Sequence, residues 1–450
     1  MATWWPPHCC TRLYTRNSTD VSVERTATAS ELHSLCLIDT RNAVSLRGLL
    51  KNREFRLIWL IGAATNTLRW LEILAVGVVV FDMTGSPFQV AFMIILRFLP
   101  MAMIGAFTGV IAERFNRRLF QVWSLGFMMT TSMLLTLIVF GGHLNLWIIG
   151  VSVVLNGLFW TTDNPIRRTL LGEVVQPAQI GIAMSLDTVT NSTTRFLGPL
   201  VGGLFLEFAG LEGVFLVGAI FYAGALGLAF LVRAVPGQQQ YDHGSMFSFL
   251  TDGIRMLQSN RVLVGVLAIT VIYNLWAFPF VSMIPVIGKD VLGLSPLPVG
   301  LLVSAEGAGT LIGALLVLLT RSVTHYRRLY TLGLGISLGM AVIYSQMGSF
   351  LPSGLFLTLE GIGAGFFAAM QAALVLLNTP PEMRSRMMGL LSVCVGLCAL
   401  GFLHIGLLAD WVGAQNAVLI CTAEGLVALI LVCWTWPEII ARQKLPSSSS

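Results

Sequence analysis

Several ionisable and amide side chains stand inside long apolar runs, where charge is costly to keep, and these residues could do chemistry. Asn66, Arg69 and Glu72 follow one another at three-residue spacing and share a helical face. Either Arg69 and Glu72 neutralise each other as a structural pair, or Glu72 takes up and releases a proton with Arg69 as its switching partner. Arg97, two residues before Leu99-Pro100, could face an anion or bridge to an acid on another helix. Asp187, Thr190, Asn191, Thr194 and Arg195 recur at helical spacing and lead into Gly198, a polar stripe expected of a water-filled cavity wall. Asp187 alternatively serves only as a helix-terminal acid. Further along, Glu306 and Glu360 are buried acids, and Glu360, Phe367, Gln371 and Asn378 share a face. Asn274, beside Trp276, Phe278 and Phe280, lines a hydrophobic pocket or sits in an interfacial anchor; His404 and Glu424 are weaker candidates.

The candidates for proton coupling are therefore Glu72, Arg69, Glu306 and Glu360. Those for a substrate cavity are Asn66, Arg97, Asn191, Arg195, Asn274 and Gln371. Three intramembrane arginines favour an anionic or amphiphilic small molecule over a cation. No Ser-His-Asp arrangement, no metal-ligand spacing among the seven cysteines and no phosphate-cradling loop with Lys-Ser/Thr is present. The expectation is no enzyme, no cofactor, no bound metal and no ATP drive.

The elements that hold these residues are membrane helices. Hydrophobic residues make up 55% of 450 and charged residues only 11%, with a mean hydropathy of +0.80. A soluble chain of this length needs far more charge, and the apolar runs reach the roughly 20 residues a helix needs to cross a bilayer. The sequence predicts an all-α membrane protein of twelve transmembrane helices, at 57–81, 88–112, 119–140, 146–166, 181–208, 212–234, 262–287, 298–320, 328–347, 353–377, 386–410 and 415–436. Loops on one side carry Arg114, Arg117 and Arg118; Arg167 and Arg168; Arg255 and Arg261; Arg321, Arg327 and Arg328; Arg384 and Arg386; and Arg442 with Lys444. The other side holds a single basic residue, Lys289. The positive-inside rule then places both termini in the cytoplasm of a bacterial inner membrane. The net charge of +5 is spent on these topogenic clusters, which argues against a nucleic-acid partner.

The expected organisation is a disordered tail (1–45), a six-helix half (46–234), a cytoplasmic linker (235–261) with a surface helix from Phe247 to Ser259, a second six-helix half (262–437) and a short tail (438–450). A basic amphipathic stretch, Ser45 to Arg56, suits lipid headgroups. An internal repeat supports two halves. Gly203-Leu-Phe-Leu-Glu207-Phe-Ala-Gly210 corresponds to Gly406-Leu-Leu-Ala-Asp410-Trp-Val-Gly413 at a constant offset, since 406 minus 203 equals 413 minus 210. A duplicated bundle with its site between the halves is a transporter design.

Gly109-Val-Ile-Ala-Glu113-Arg114-Phe-Asn-Arg117-Arg118 resembles the loop signature of the major facilitator superfamily, with Glu113 in place of the usual Asp. Gly198-Pro199-Leu-Val-Gly202-Gly203 resembles the Gly-Pro-x-x-Gly-Gly element of that superfamily's proton-coupled drug exporters. Asn52-Arg53-Glu54-Phe55-Arg56, Thr84-Gly85-Ser86-Pro87 and Leu99-Pro100 extend the resemblance, over about Phe55 to Trp436, to the branch holding the enterobactin exporter and macrolide efflux proteins. The resemblance implies the major facilitator fold, conformational roles for the residues of both motifs, and proton-driven efflux of a siderophore- or macrolide-like compound by a monomer using alternating access. One departure stands out: Leu155-Asn156-Gly157-Leu158 lacks the basic residue of the drug-exporter signature. A small-metabolite importer, or a transporter-shaped scaffold that moves nothing, are the competing readings.

Overall fold

A computed structural model describes residues 46–104, 117–176, 179–233, 257, 260–319, 325–380 and 383–440. The expectations for Gly109, Glu113, Arg114, the first tail, the second tail beyond 440 and most of the linker with its surface helix fall outside these residues. Among the described residues every regular element is helical. The helices are α1 (Leu46–Lys51), α2 (Arg53–Thr84), α3 (Pro87–Ile104), α4 (Arg117–Phe140), α5 (Leu146–Glu173), α6 (Ile180–Leu231), α7 (Arg261–Ile272) and α8 (Met283–Val286). They continue with α9 (Pro296–Leu319), α10 (Tyr326–Ser345), α11 (Phe350–Leu377), α12 (Arg384–Gly396), α13 (Cys398–Val412) and α14 (Ala414–Thr435). Among the described residues eight segments are long and apolar enough to cross a membrane. In hydrocarbon the backbone must satisfy its own hydrogen bonds, so long apolar stretches become helices.

Helix ends follow local chemistry. Asn52 caps α2, accepting from the amides of Glu54 and Phe55 at 3.1 and 3.3 Å, while its side-chain NH2 donates 2.7 Å to the Val174 carbonyl. Asn260 repeats the device, accepting from Leu263 and donating to the Asn378 carbonyl. The amphipathic stretch at 45–56 is accordingly broken at Asn52, and Leu49 is buried instead of lying flat on lipid. Gly210 interrupts α6 with φ 66°, a left-handed backbone that disfavours any residue with a Cβ, and turns one apolar run into the next. Its repeat partner Gly413 does the same between α13 and α14, with φ 84°.

Residues 261–291 form one apolar segment whose interior is irregular: π turns at Tyr273–Ala277 and Ile287–Val291 flank a 3-10 stretch at Phe278–Ser282. Pro279 and Pro285 remove amide donors here. Gly401 of α13 packs against the carbonyls of Asn274 and Leu275, so the irregular stretch is held closely by its neighbour.

The apolar core has three parts. At one end of the bundle a single cluster runs from Leu74 and Val90 through Val214 and Ile284 to Val299, Ile405 and Val418. At the other end the core splits in two: one cluster holds Phe55, Ile166 and Tyr222, and another Leu263, Tyr330 and Leu374. The helices that precede residue 234 and those that follow 260 thus share a core at one end and have separate cores at the other.

Candidate functional site

Glu72 does not pair with Arg69. Its carboxylate accepts from the Asn156 side chain of α5, whose oxygen accepts from Arg97 of α3. Arg97 lies 3.8 Å from Glu72, and all three are buried. The close approach depends on Gly157, where a Cβ would meet the Arg97 carbonyl. Arg97 of α3 thus sets a guanidinium against the 155–158 stretch, which has no basic residue of its own. A cavity of about 10 Å³, near the threshold for one water, is lined by this trio with Thr131, Ser132 and Ser152.

Arg195 of α6 meets Glu306 of α9 in a two-pronged pair, Nε to Oε2 at 2.9 Å and a terminal nitrogen to Oε1 at 2.5 Å. Fork geometry of this kind gives the strongest charge-assisted hydrogen bonds. Glu360 of α11 accepts from Ser337 at 2.5 Å, its second oxygen has no partner, and it lies within electrostatic reach of Arg195 and Glu306. The structure therefore brings together Arg195, Glu306 and Glu360 from three helices. Arg69 stands apart, its guanidinium 3.7 Å from the Trp160 ring centroid. Asn274 is buried in its π turn and donates to the Thr270 carbonyl, and its neighbour Tyr273 stacks on Phe367 at 4.0 Å. Asn66 is buried one turn before Arg69, whereas Asn191 and Gln371 are half-buried.

A second charged cluster joins α5 and α6. Arg167 and Arg168 were expected in a loop, yet α5 continues through both. Arg167 is buried at 1% exposure, bonded 2.6 Å to Asp187, which Arg168 also holds at 3.0 Å. Asp187 thus neutralises two arginines instead of lining a cavity wall or merely ending a helix. Asp163, one turn before Arg167 and equally buried, is 3.5 Å from Gln121. The available signal was an acid four residues before a base, a helical pair rather than a loop. Arg117 pairs with Glu173, and Arg118 donates to the Phe230 carbonyl, as Arg328 does to that of Ile440. His404 lies 2.8 Å from Glu424, which also accepts from Trp276 at 3.0 Å, on a half-exposed apolar face.

The glycine motif and the repeat acquire direct roles. Gly198 packs on Trp70 and Thr67, Gly202 on Leu71, and Gly203 on Pro296 and Gly300, so one helix contacts both α2 and α9. Pro199 is buried within α6. Four residues beyond Gly203, Glu207 accepts from the Leu297 amide at the start of α9, 3.2 Å away. Its repeat counterpart Asp410 accepts from the Phe88 amide at the start of α3 and from Ser86, both at 3.1 Å. Lys289 reaches Asp82 at 3.0 Å beside them. All three ties lie at the end with the continuous core.

A model of the transmembrane secretion effector family matches residues 46–449. An uncharacterised MFS-type transporter of Bacillus subtilis (strain 168), YfiS, is 26% identical over 377 residues, 80% of this chain and 89% of the relative. Macrolide efflux protein A of Streptococcus pyogenes is 21% identical, covering 84% and 95% respectively. Among solved structures, a bacterial homolog of the human lysosomal transporter Spinster, inward-facing and unoccupied, superposes with a TM-score of 0.67 at 14% identity, over 88% of this chain and 99% of that one.

Proposed function

The chain belongs to the transmembrane secretion effector family of major facilitator transporters, a multi-pass membrane protein, and from that premise we propose that it is a proton-driven exporter of an amphiphilic or anionic small molecule. Twelve helices in two six-helix halves, joined by the linker 235–261, lie in a bacterial inner membrane with both termini in the cytoplasm. The recurring Asn52 and Asn260 caps, and the matching Arg118 and Arg328 contacts, support the duplication. The positive-inside pattern puts the divided core at the cytoplasmic end. The separate cores at that end leave the halves free to part there, and rocking about the shared core gives alternating access.

The observation that carries the coupling step is the chain Glu72–Asn156–Arg97. A neutral amide stands between acid and base, so a proton on Glu72 cancels its charge while Arg97 keeps a hydrogen bond to Asn156. A carboxylate held this way inside the membrane can exchange a proton without leaving its site, which a pair in direct two-pronged contact such as Arg195–Glu306 does less readily. Efflux relatives support the outward direction.

The test is transport into inside-out vesicles energised by a pH gradient, offering a siderophore, a macrolide and a cationic dye. Gradient-dependent accumulation of the siderophore or macrolide, lost in Glu72→Gln, is the expected result. Movement of the dye alone, or equal accumulation in Glu72→Gln, contradicts the proposal.

A further inference from the structure

The three arginines deep in the membrane differ in what balances them. Arg97 has Glu72 through Asn156, and Arg195 has Glu306. Arg69 has no ion pair and no hydrogen bond to any described side chain; its Nε is shielded from water and unbonded. What it touches is aromatic: the Trp160 ring centroid at 3.7 Å and that of Trp70 at 5.2 Å. A cation–π contact offsets only part of what an arginine at the centre of a membrane helix costs. Arg97 and Arg195 lie within electrostatic reach and add repulsion.

We propose that Arg69 and Trp160 form a capture site for the anionic group of a monoanionic amphiphile with a flat apolar body, a carboxylate or sulfonate. The proposal rests on the transport reading for the ligand's route and adds to it a residue and a charge. One face of the guanidinium is covered by the Trp160 indole, and its edge, with the N–H donors, remains for two oxygens of an acid in fork geometry. The indole offers an adjoining apolar plane. Arg97 and Arg195 do not compete, because each already holds a carboxylate or its amide relay. The role differs from the proton-switching one that its spacing from Glu72 first suggests.

The experiment is equilibrium binding to the purified full-length chain in lipid nanodiscs, with naphthoate and naphthalenesulfonate as anions, naphthalenemethanol as neutral match and naphthylmethylammonium as cation. Wild type is expected to bind an anion about tenfold more tightly than the alcohol, roughly 1.4 kcal/mol. In Arg69→Gln that preference disappears while alcohol binding stays; Arg69→Lys keeps part of it; Trp160→Leu weakens anion and alcohol together. No anion preference in wild type, or an unchanged one in Arg69→Gln, overturns the proposal. So does failure of Arg69→Gln to fold, since a charge without a structural partner should be dispensable. Intact anion preference with no gradient-driven transport of any compound defeats the export reading and leaves the site. Intact transport without anion preference does the reverse.

Discussion

Glu72 and Asp187 are both buried acids, and their partners give them opposite uses. Asp187 holds Arg167 directly, inside the protein and packed against Gly62. Removing one member of such a pair leaves a bare charge and costs about 3–5 kcal/mol. Asp187→Asn is therefore expected to lose most folded protein, read as monodisperse yield after detergent extraction, with partial recovery in Asp187→Asn combined with Arg167→Gln. Glu72→Gln should keep its fold, because Asn156 can still bond to an amide and Arg97 to Asn156. Thermal unfolding of Glu72→Gln within a few degrees of wild type, with gradient-driven transport lost, separates the two roles; a collapse like that of Asp187→Asn makes Glu72 structural. The candidates Glu72, Arg97, Arg195, Glu306 and Glu360 were visible as ionisable residues in apolar runs. Their pairing was not. A step of three residues leaves about 60° between side chains on a helix, enough for Glu72 to face α3 and α5 while Arg69 lies over Trp160.

At the scale of helices, small residues decide how near the charged faces come. Gly198 and Gly202 bring α6 onto α2, and Gly203 brings it onto α9, where Arg195 meets Glu306. A Cβ at 198 would stand 2.6 Å from that of Trp70 and 2.8 Å from the Thr67 carbonyl. Overpacking of this kind costs about 1–3 kcal/mol. Gly198→Ala is expected to lower the thermal midpoint and slow transport, whereas Gly224→Ala, with nothing within 4 Å, should do neither. Equal behaviour of the two variants would remove the packing role from the motif. Hydropathy found the long apolar helices, because lipid imposes a long apolar run on any helix crossing it. It placed the end of α5 too early, at 166, since Arg167 and Arg168 read as loop charges until Asp187 is known to reach them from α6. The π and 3-10 turns between Tyr273 and Ser282 were also hidden: Pro279 marks a break, but its form depends on how α13 packs there through Gly401.

Across the whole molecule, the repeat read in the sequence as a sign of duplication marks the place where the proposed halves are held shut. Its first glycine packs against the opposing helix: Gly203 on α9, and Gly406 on Phe88 and Ala91 of α3. Its acid caps that helix, Glu207 at Leu297 and Asp410 at Phe88. Lys289 completes the set through Asp82. An amide cap contributes about 1 kcal/mol, and an exposed ion pair such as Asp82–Lys289 less. Loss of both caps therefore moves the inward–outward balance by about 2 kcal/mol, roughly thirtyfold. The double variant Glu207→Ala with Asp410→Ala, which removes both acceptors, is expected to expose the shared core. Leu302, fully buried there, reports it when changed to Cys in a chain freed of its native cysteines: maleimide labelling should rise by about ten- to thirtyfold. Each single variant should give an intermediate rise, since the two caps lie on different helix pairs and act separately. A neutral amide still accepts a hydrogen bond, so Glu207→Gln with Asp410→Asn should label more slowly than the alanine pair. Labelling unchanged in all of these variants would mean that the shared apolar core alone holds the end closed, and that the acids of the repeat serve only the local ends of α3 and α9.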